Sequence, residues 1–168
     1  MDINEDAPVI TRDEIVIRAP IETIWEIQTN VDDWSSWQPD VDGAESEGPL
    51  EVGSVFRWQT AGLDITSTVE EVDAPHRIVW GGPAQGIVAV HVWTLEPHGD
   101  GVLVRTAESW EGEPVEAQVE TLQGALDGSL GAWLENLKRT AEQRTGGRGR
   151  RIVAVARPSD PLDKRSHP

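Results

Sequence analysis

The chain has 168 residues, enough for one domain with its own core plus short extensions. It has no Cys, which removes disulfides, thiolate metal sites and a cysteine nucleophile. The net charge of −16 is uneven: seven basic and two acidic residues lie from Arg144 onward, so the first 143 residues carry −21 and oppose contact with phosphate backbones or anionic lipid. Met1 to Pro8 is acidic without an apolar run, and no stretch reaches membrane-spanning length. A soluble cytoplasmic protein, with no nucleic-acid or membrane partner, is expected.

Residues 1–9 read as a flexible lead. Ile10 to Arg18 alternates in polarity as a half-buried strand does, and Ala19-Pro20 ends it. Pro20, Glu22 and the apolar set Ile21, Ile24, Trp25 and Ile27 predict a short helix to about Thr29. Asp32 is placed to cap a second one over Asp33 to Trp37, closed by Pro39. Six strands follow, near 43–47, 54–60, 63–72, 77–81, 87–96 and 102–111, separated by Gly48-Pro49, Ala61-Gly62, Ala74-Pro75 and His98 to Gly101. Their short connections predict an antiparallel meander that curls as it twists.

From Pro114 to about Gln143, the residues Val115, Val119, Leu122, Leu126, Leu130, Trp133, Leu137 and Ala141 recur at steps of three and four. This predicts one long helix with one apolar stripe to bury against the sheet, stopped by Gly146-Gly147. Gln123 and Ser129 flank the stripe. Residues 146–168 are basic and rich in Gly and Pro, and read as a disordered tail beyond a domain at 10–145.

Ile17-Arg18-Ala19-Pro20 with Ile24-Trp25, Trp34-Ser35-Ser36-Trp37-Gln38-Pro39, Val52-Gly53-Ser54, the run from Val69 through Ala74-Pro75-His76-Arg77-Ile78-Val79-Trp80, Trp93-Thr94-Leu95-Glu96-Pro97 and Gly99-Asp100-Gly101 form a recognisable set. Over residues 10–143 the chain resembles the polyketide cyclase/dehydrase branch of the START/Bet v 1-like (SRPBCC) superfamily. The resemblance implies an α+β helix-grip fold: a curved antiparallel sheet of about seven strands around a long C-terminal helix, two short helices after the first strand, and a deep hydrophobic cavity.

Eight of the nine aromatic residues are Trp, each with one N–H to satisfy when buried. Trp25 and Trp133 are expected to pack under the helix. Strand parity puts Ile87, Ala89, His91, Trp93 and Leu95 on one face, and Val104, Thr106, Glu108 and Trp110 on the matching face of the next strand. If Leu95 pairs with Val102, His91 lies opposite Thr106 and diagonal to Glu108; a two-residue slip makes His91 and Glu108 direct partners. Such a pair on an apolar face is suited to acid-base work, and equally to a satisfied polar pair at a cavity mouth.

His91 and Glu108 are thus the candidate catalytic residues. The candidate ligand-binding set is Trp34, Trp37, Phe56, Trp58, Ile65, Ser67, Trp80, Ala89, Trp93, Thr106, Trp110, Leu122 and Leu126, around a cavity of about several hundred Å³. Arg57 points outward, and Trp34 to Trp37 and Gly81 to Gly86 are the candidate portal segments. No phosphate loop, nucleophile elbow or His spacing suited to a metal is present, so neither metal nor cofactor is expected. The expected partner is a small hydrophobic or aromatic molecule. The other two readings are an enzyme like the aromatase/cyclases, assisting cyclisation and dehydration, and a protein-interaction module like the co-chaperone members.

Overall fold

The computed structural model describes residues 1–152, with side chains through Gly146. Seven strands form one antiparallel sheet in the order β1-β7-β6-β5-β4-β3-β2: β1 (Val9–Ile17), β2 (Val41–Ser46), β3 (Val55–Thr60), β4 (Leu63–Asp73), β5 (Arg77–Ala84), β6 (Ile87–His98) and β7 (Gly101–Glu111). Between β1 and β2 come α1 (Ile21–Thr29), a 3-10 turn (Val31–Asp33) and α2 (Trp34–Trp37). After β7 come α3 (Glu113–Glu116) and α4 (Val119–Ile152). The meander of six consecutive hairpin-joined strands, with β1 added beside β7, is the architecture that short turns and period-2 patterning require.

The helical region departs from the single periodic helix in two ways. Gly112 has φ of 125°, Pro114 sits in the first turn of α3, and the chain leaves the helical path after Ala117 before α4 begins. Val119 therefore starts a new helix and is 37 % exposed, although it belongs to the apolar stripe. At the other end α4 runs through Gly146-Gly147 to Ile152, so these glycines do not stop it. A glycine without a left-handed turn after it lowers helix propensity by only about 1 kcal/mol, which the basic residues near the C-terminal end help to offset. The rest of the expected tail, residues 153–168, lies outside the described residues.

Three smaller expectations are corrected. Asp32 does not cap α2: its carboxylate accepts from Ser46 N (2.8 Å), tying the 3-10 turn to edge strand β2. The Gly81 to Gly86 segment is mostly strand, since β5 continues to Ala84 and pairs Gly81 with Val90 and Pro83 with Val88. The N-terminal residues are docked on the convex face. Ile3 is buried there against Val79 and Val92, Asn4 N donates to Ser109 Oγ (3.0 Å), and Arg77 donates to Met1 O (2.6 Å).

On the concave face α4 is clamped to β1. Gln123 mimics a strand partner, accepting from Ile10 N (3.2 Å) and donating to Ile10 O (2.9 Å), while Thr11 Oγ1 donates to Asp127 (2.6 Å). Gln123 thus serves the framework, and Ser129 is exposed. Gly112 and the β5–β6 turn meet closely: a Cβ on Gly112 would stand 2.2 Å from Gly86 O, and one on Gly86 3.2 Å from the Pro114 ring.

If Ile3 is a core residue and not a loose end, Ile3→Ala should cost about 2 kcal/mol. Chemical denaturation would read this, and a change below about 0.5 kcal/mol would return the segment to the flexible class.

Candidate functional site

The concave space is built around aromatic rings. Trp34, at the start of α2, meets Phe56, Trp58, Trp80 and Trp133 at centroid distances of 5.0 to 5.7 Å, mostly edge to face. Trp133, from α4, also reaches Trp37, Trp58 and Trp93. Edge-to-face geometry sets the positive rim of one ring against the negative face of the next, adding about 0.5–1.5 kcal/mol per pair beyond burial. Buried amides satisfy part of the indole set: Trp34 Nε1 donates to Gln28 O and Trp133 Nε1 to Gln28 Oε1, both at 3.0 Å. Asn136 Nδ2 donates to Gln38 Oε1 (3.1 Å). Among the described residues no protein acceptor meets Trp37 Nε1, Trp93 Nε1, Gln28 Nε2 or Gln38 Nε2.

The rings fill the middle of the expected cavity. Trp34, Phe56, Trp80, Trp93 and Leu126 are at most 2 % exposed, and Trp37, Ser67 and Thr106 are also buried. Hollows of several hundred Å³ lie on outer surfaces: one of about 540 Å³ along Glu45, Ser46, Ser54 and Arg57, another of about 550 Å³ beside Arg12, Glu14, Val92 and Arg105. Toward the start of α4 the concave face is less well sealed among the described residues. There Trp58, Ile65, Ile87, Ala89, Trp110 and Leu122 are half-buried, and Val119 is exposed.

Between the sealed rings and this mouth lies the polar pair. The β6–β7 register is Leu95↔Val104 and His91↔Glu108, the second of the two alignments open from the sequence. His91 Nδ1 is 3.5 Å from Glu108 Oε2, and His91 Nε2 is 2.8 Å from Thr106 Oγ1. The imidazole is packed among Trp80, Trp93 and Trp133. Trp110 Nε1 donates to the other Glu108 oxygen (2.9 Å). Deeper in the cluster Trp58 Nε1 donates to Ser67 Oγ (3.2 Å).

Desolvation favours the neutral form of both groups. Burial pushes the His91 imidazole down to about 3. Burial pushes the Glu108 carboxyl up to about 7, against a smaller opposing effect of the Trp110 hydrogen bond. Both shifts oppose an ion pair across the 3.5 Å contact: below about pH 7 the carboxyl tends to hold its proton, and a neutral His91 can present Nε2–H to Thr106.

Residues 8–142 match a family profile described as polyketide cyclase / dehydrase and lipid transport. The chain belongs to this family. A search of curated protein sequences gives no match. Among solved structures, a hypothetical protein from Helicobacter pylori is 19 % identical, with a TM-score of 0.74 over 83 % of this chain and 91 % of that one. The Zhui aromatase/cyclase from Streptomyces sp. R1128 is 17 % identical, with a TM-score of 0.71 over 81 % and 94 %. A START superfamily protein from Mycobacterium smegmatis is 17 % identical, with a TM-score of 0.69 over 80 % and 97 %. At these identities the likeness is one of fold, and the fold is the START/Bet v 1-like helix grip. No helix among the described residues is long and apolar enough to cross a membrane.

Parity alone missed the amides Gln28, Gln38 and Asn136, because a polar residue at a helix end or beside an apolar stripe reads as a solvent boundary. The Glu108–Trp110 bond had a signal, since residues two apart share a strand face.

The opposite shifts of the pair make a sharp prediction. Between about pH 4.5 and 6.5 the folded pair holds one proton, on Glu108, and the unfolded chain also holds one, on His91, so the pair leaves stability flat there. Glu108→Gln leaves His91, whose folded value is lowered, so stability should fall as pH drops from 6.5 toward 3. His91→Gln leaves Glu108, whose folded value is raised, so stability should be full below about 4.5 and fall as pH rises through about 7. The slopes approach 1.4 kcal/mol per pH unit at most. Parallel melting profiles for the two variants would contradict the assignment.

Proposed function

We propose that the protein binds a small hydrophobic or aromatic molecule at the mouth between α4 and strands β3, β4, β6 and β7, with Glu108 and His91 at its polar inner end. The observation that carries this reading is the break in sealing. Beside a closed aromatic cluster, Trp58, Ile65, Ala89, Trp110 and Leu122 keep partial exposure on the inward face, and Val119 of the apolar stripe is uncovered. Partly exposed apolar side chains beside a convergent polar group are the kind of lining that small-molecule sites use. The family profile supports the same class of ligand. In this reading Trp34, Trp37, Phe56, Ser67, Trp80, Trp93, Thr106 and Leu126 are the rigid backing of the site, and the half-buried residues touch the ligand.

The His91–Glu108 geometry favours a second reading, an enzyme that assists enolisation and dehydration as its aromatase/cyclase neighbour's name suggests for that protein. A carboxyl poised near neutral pH can give a proton to a developing enol and take one from carbon, with His91 completing the relay toward Thr106.

Two variants separate these readings. Ala89→Trp fills the mouth beside Trp110, its cross-strand partner, and should lower affinity for neutral aromatic probes by at least about tenfold with little change in melting temperature. Unaltered binding in that variant would place the ligand elsewhere. Glu108→Gln keeps size and loses the exchangeable proton, so any turnover should disappear while affinity for neutral ligands stays within about twofold. Persistent turnover in Glu108→Gln would remove the acid-base role. Native mass spectrometry of protein from its own host would identify a retained molecule.

A further inference from the structure

We propose that the molecule bound at this mouth carries a positive charge, as a hydrophobic ammonium group seated against Trp110 with the Glu108 carboxylate as its counter-ion. The inference rests on the binding reading above and adds the charge of the ligand to it.

Among the described residues, the groups around Glu108 contain no built-in cation. From β6 it faces His91, enclosed by three indoles and only 4 % exposed, where desolvation opposes an imidazolium. From β7 it meets Trp110 Nε1 and neighbours Thr106. On β1 its cross-strand partner is Thr11, whose hydroxyl donates to Asp127 of α4, so the nearest charged group on that side is a second carboxylate. Among the described basic residues, Arg12, Arg77 and Arg105 pair with Glu5, Glu71 and Glu14 on the convex side, Arg57 lines an outer hollow, Arg144 pairs with Asp33, and Lys138 and Arg139 bond just past the middle of α4.

Burial favours the protonated carboxyl and a cation would favour its ionisation, and its side-chain exposure of 13 % against 4 % for His91 puts it on the accessible side of the pair. An ammonium group would displace that proton to solvent and leave a carboxylate–ammonium pair. Indole faces attract cations through their quadrupole, and Trp110 is already fixed to Glu108 by its N–H. The surplus of −21 over the first 143 residues draws cations toward the surface from a distance. An anion would meet the opposite field.

Three probes of one shape test this: phenethyltrimethylammonium, its uncharged carbon isostere with tert-butyl in place of trimethylammonium, and phenylbutyrate, all read by quenching of tryptophan emission. The cation should bind about tenfold more tightly than the neutral isostere, the gain expected from a desolvated cation–aromatic contact with a counter-ion. This advantage should grow as pH rises through about 7, because a quaternary group cannot lose its charge and Glu108 must lose its proton to pair with it. Glu108→Gln should abolish the difference between the cation and the neutral isostere, and the wild-type pH dependence gives the same answer without a variant. Equal or tighter binding of the neutral isostere or of phenylbutyrate, independent of pH, would overturn the charge assignment and leave the binding reading standing. Failure of all three probes, with no molecule retained from the host, would overturn both.

Discussion

The tight turn at Gly99-Asp100 sets the register of β6 against β7, and much of the concave face follows from that alignment. A two-residue shift would keep every side chain on its face but would put Thr106 opposite His91 and carry Glu108 one pair further along. In the observed alignment His91 has the Glu108 carboxyl on one ring nitrogen and Thr106 on the other. The imidazole needs both, because a buried ring nitrogen without a partner costs about 1–3 kcal/mol. Trp110, on the same face of β7, then fixes the second carboxyl oxygen.

Around this hairpin the molecule divides its concave face between stability and access. The middle of α4 delivers Trp133, Leu134, Leu137 and Ala141 into the core, where Trp133 joins indoles from α2, β3 and β6. The N-terminal half packs Leu126 and Leu130 beside Val9 and Val115, and leaves Leu122 partly open. Size explains the division. Large rings fill the volume that a deep pocket would occupy, and the polar pair lies where they end.

The fold was legible in the sequence because it rests on periodicity and turns. All seven strands and the two short helices lie within a few residues of their expected places, and the long helix is present although it begins at Val119 and runs on to Ile152. What escaped depends on contacts between distant segments. The break after Ala117 reflects the positive φ of Gly112 and its approach to Gly86, and the docking of Ile3 reflects an apolar convex patch that no local pattern reveals. Parity put His91 and Glu108 on one face, but their distance turned on a register that local sequence left between two values. The extent of filling was equally hidden, since counting eight Trp does not say whether they line a void or occupy it.

The close approach of Gly112 to Gly86 O, with the Pro114 ring against Gly86, joins the β5–β6 turn to the start of α3. One side of the mouth is therefore a single rigid rim, and neither part can swing without the other. The opposite hairpin, between β3 and β4, turns at Ala61 and Gly62, and a side chain at Gly62 would touch nothing within 4 Å. Side-chain bulk therefore meets free space at the β3–β4 turn, apart from the strain of the positive φ at Gly62, and is excluded from the glycine-locked rim on the other side.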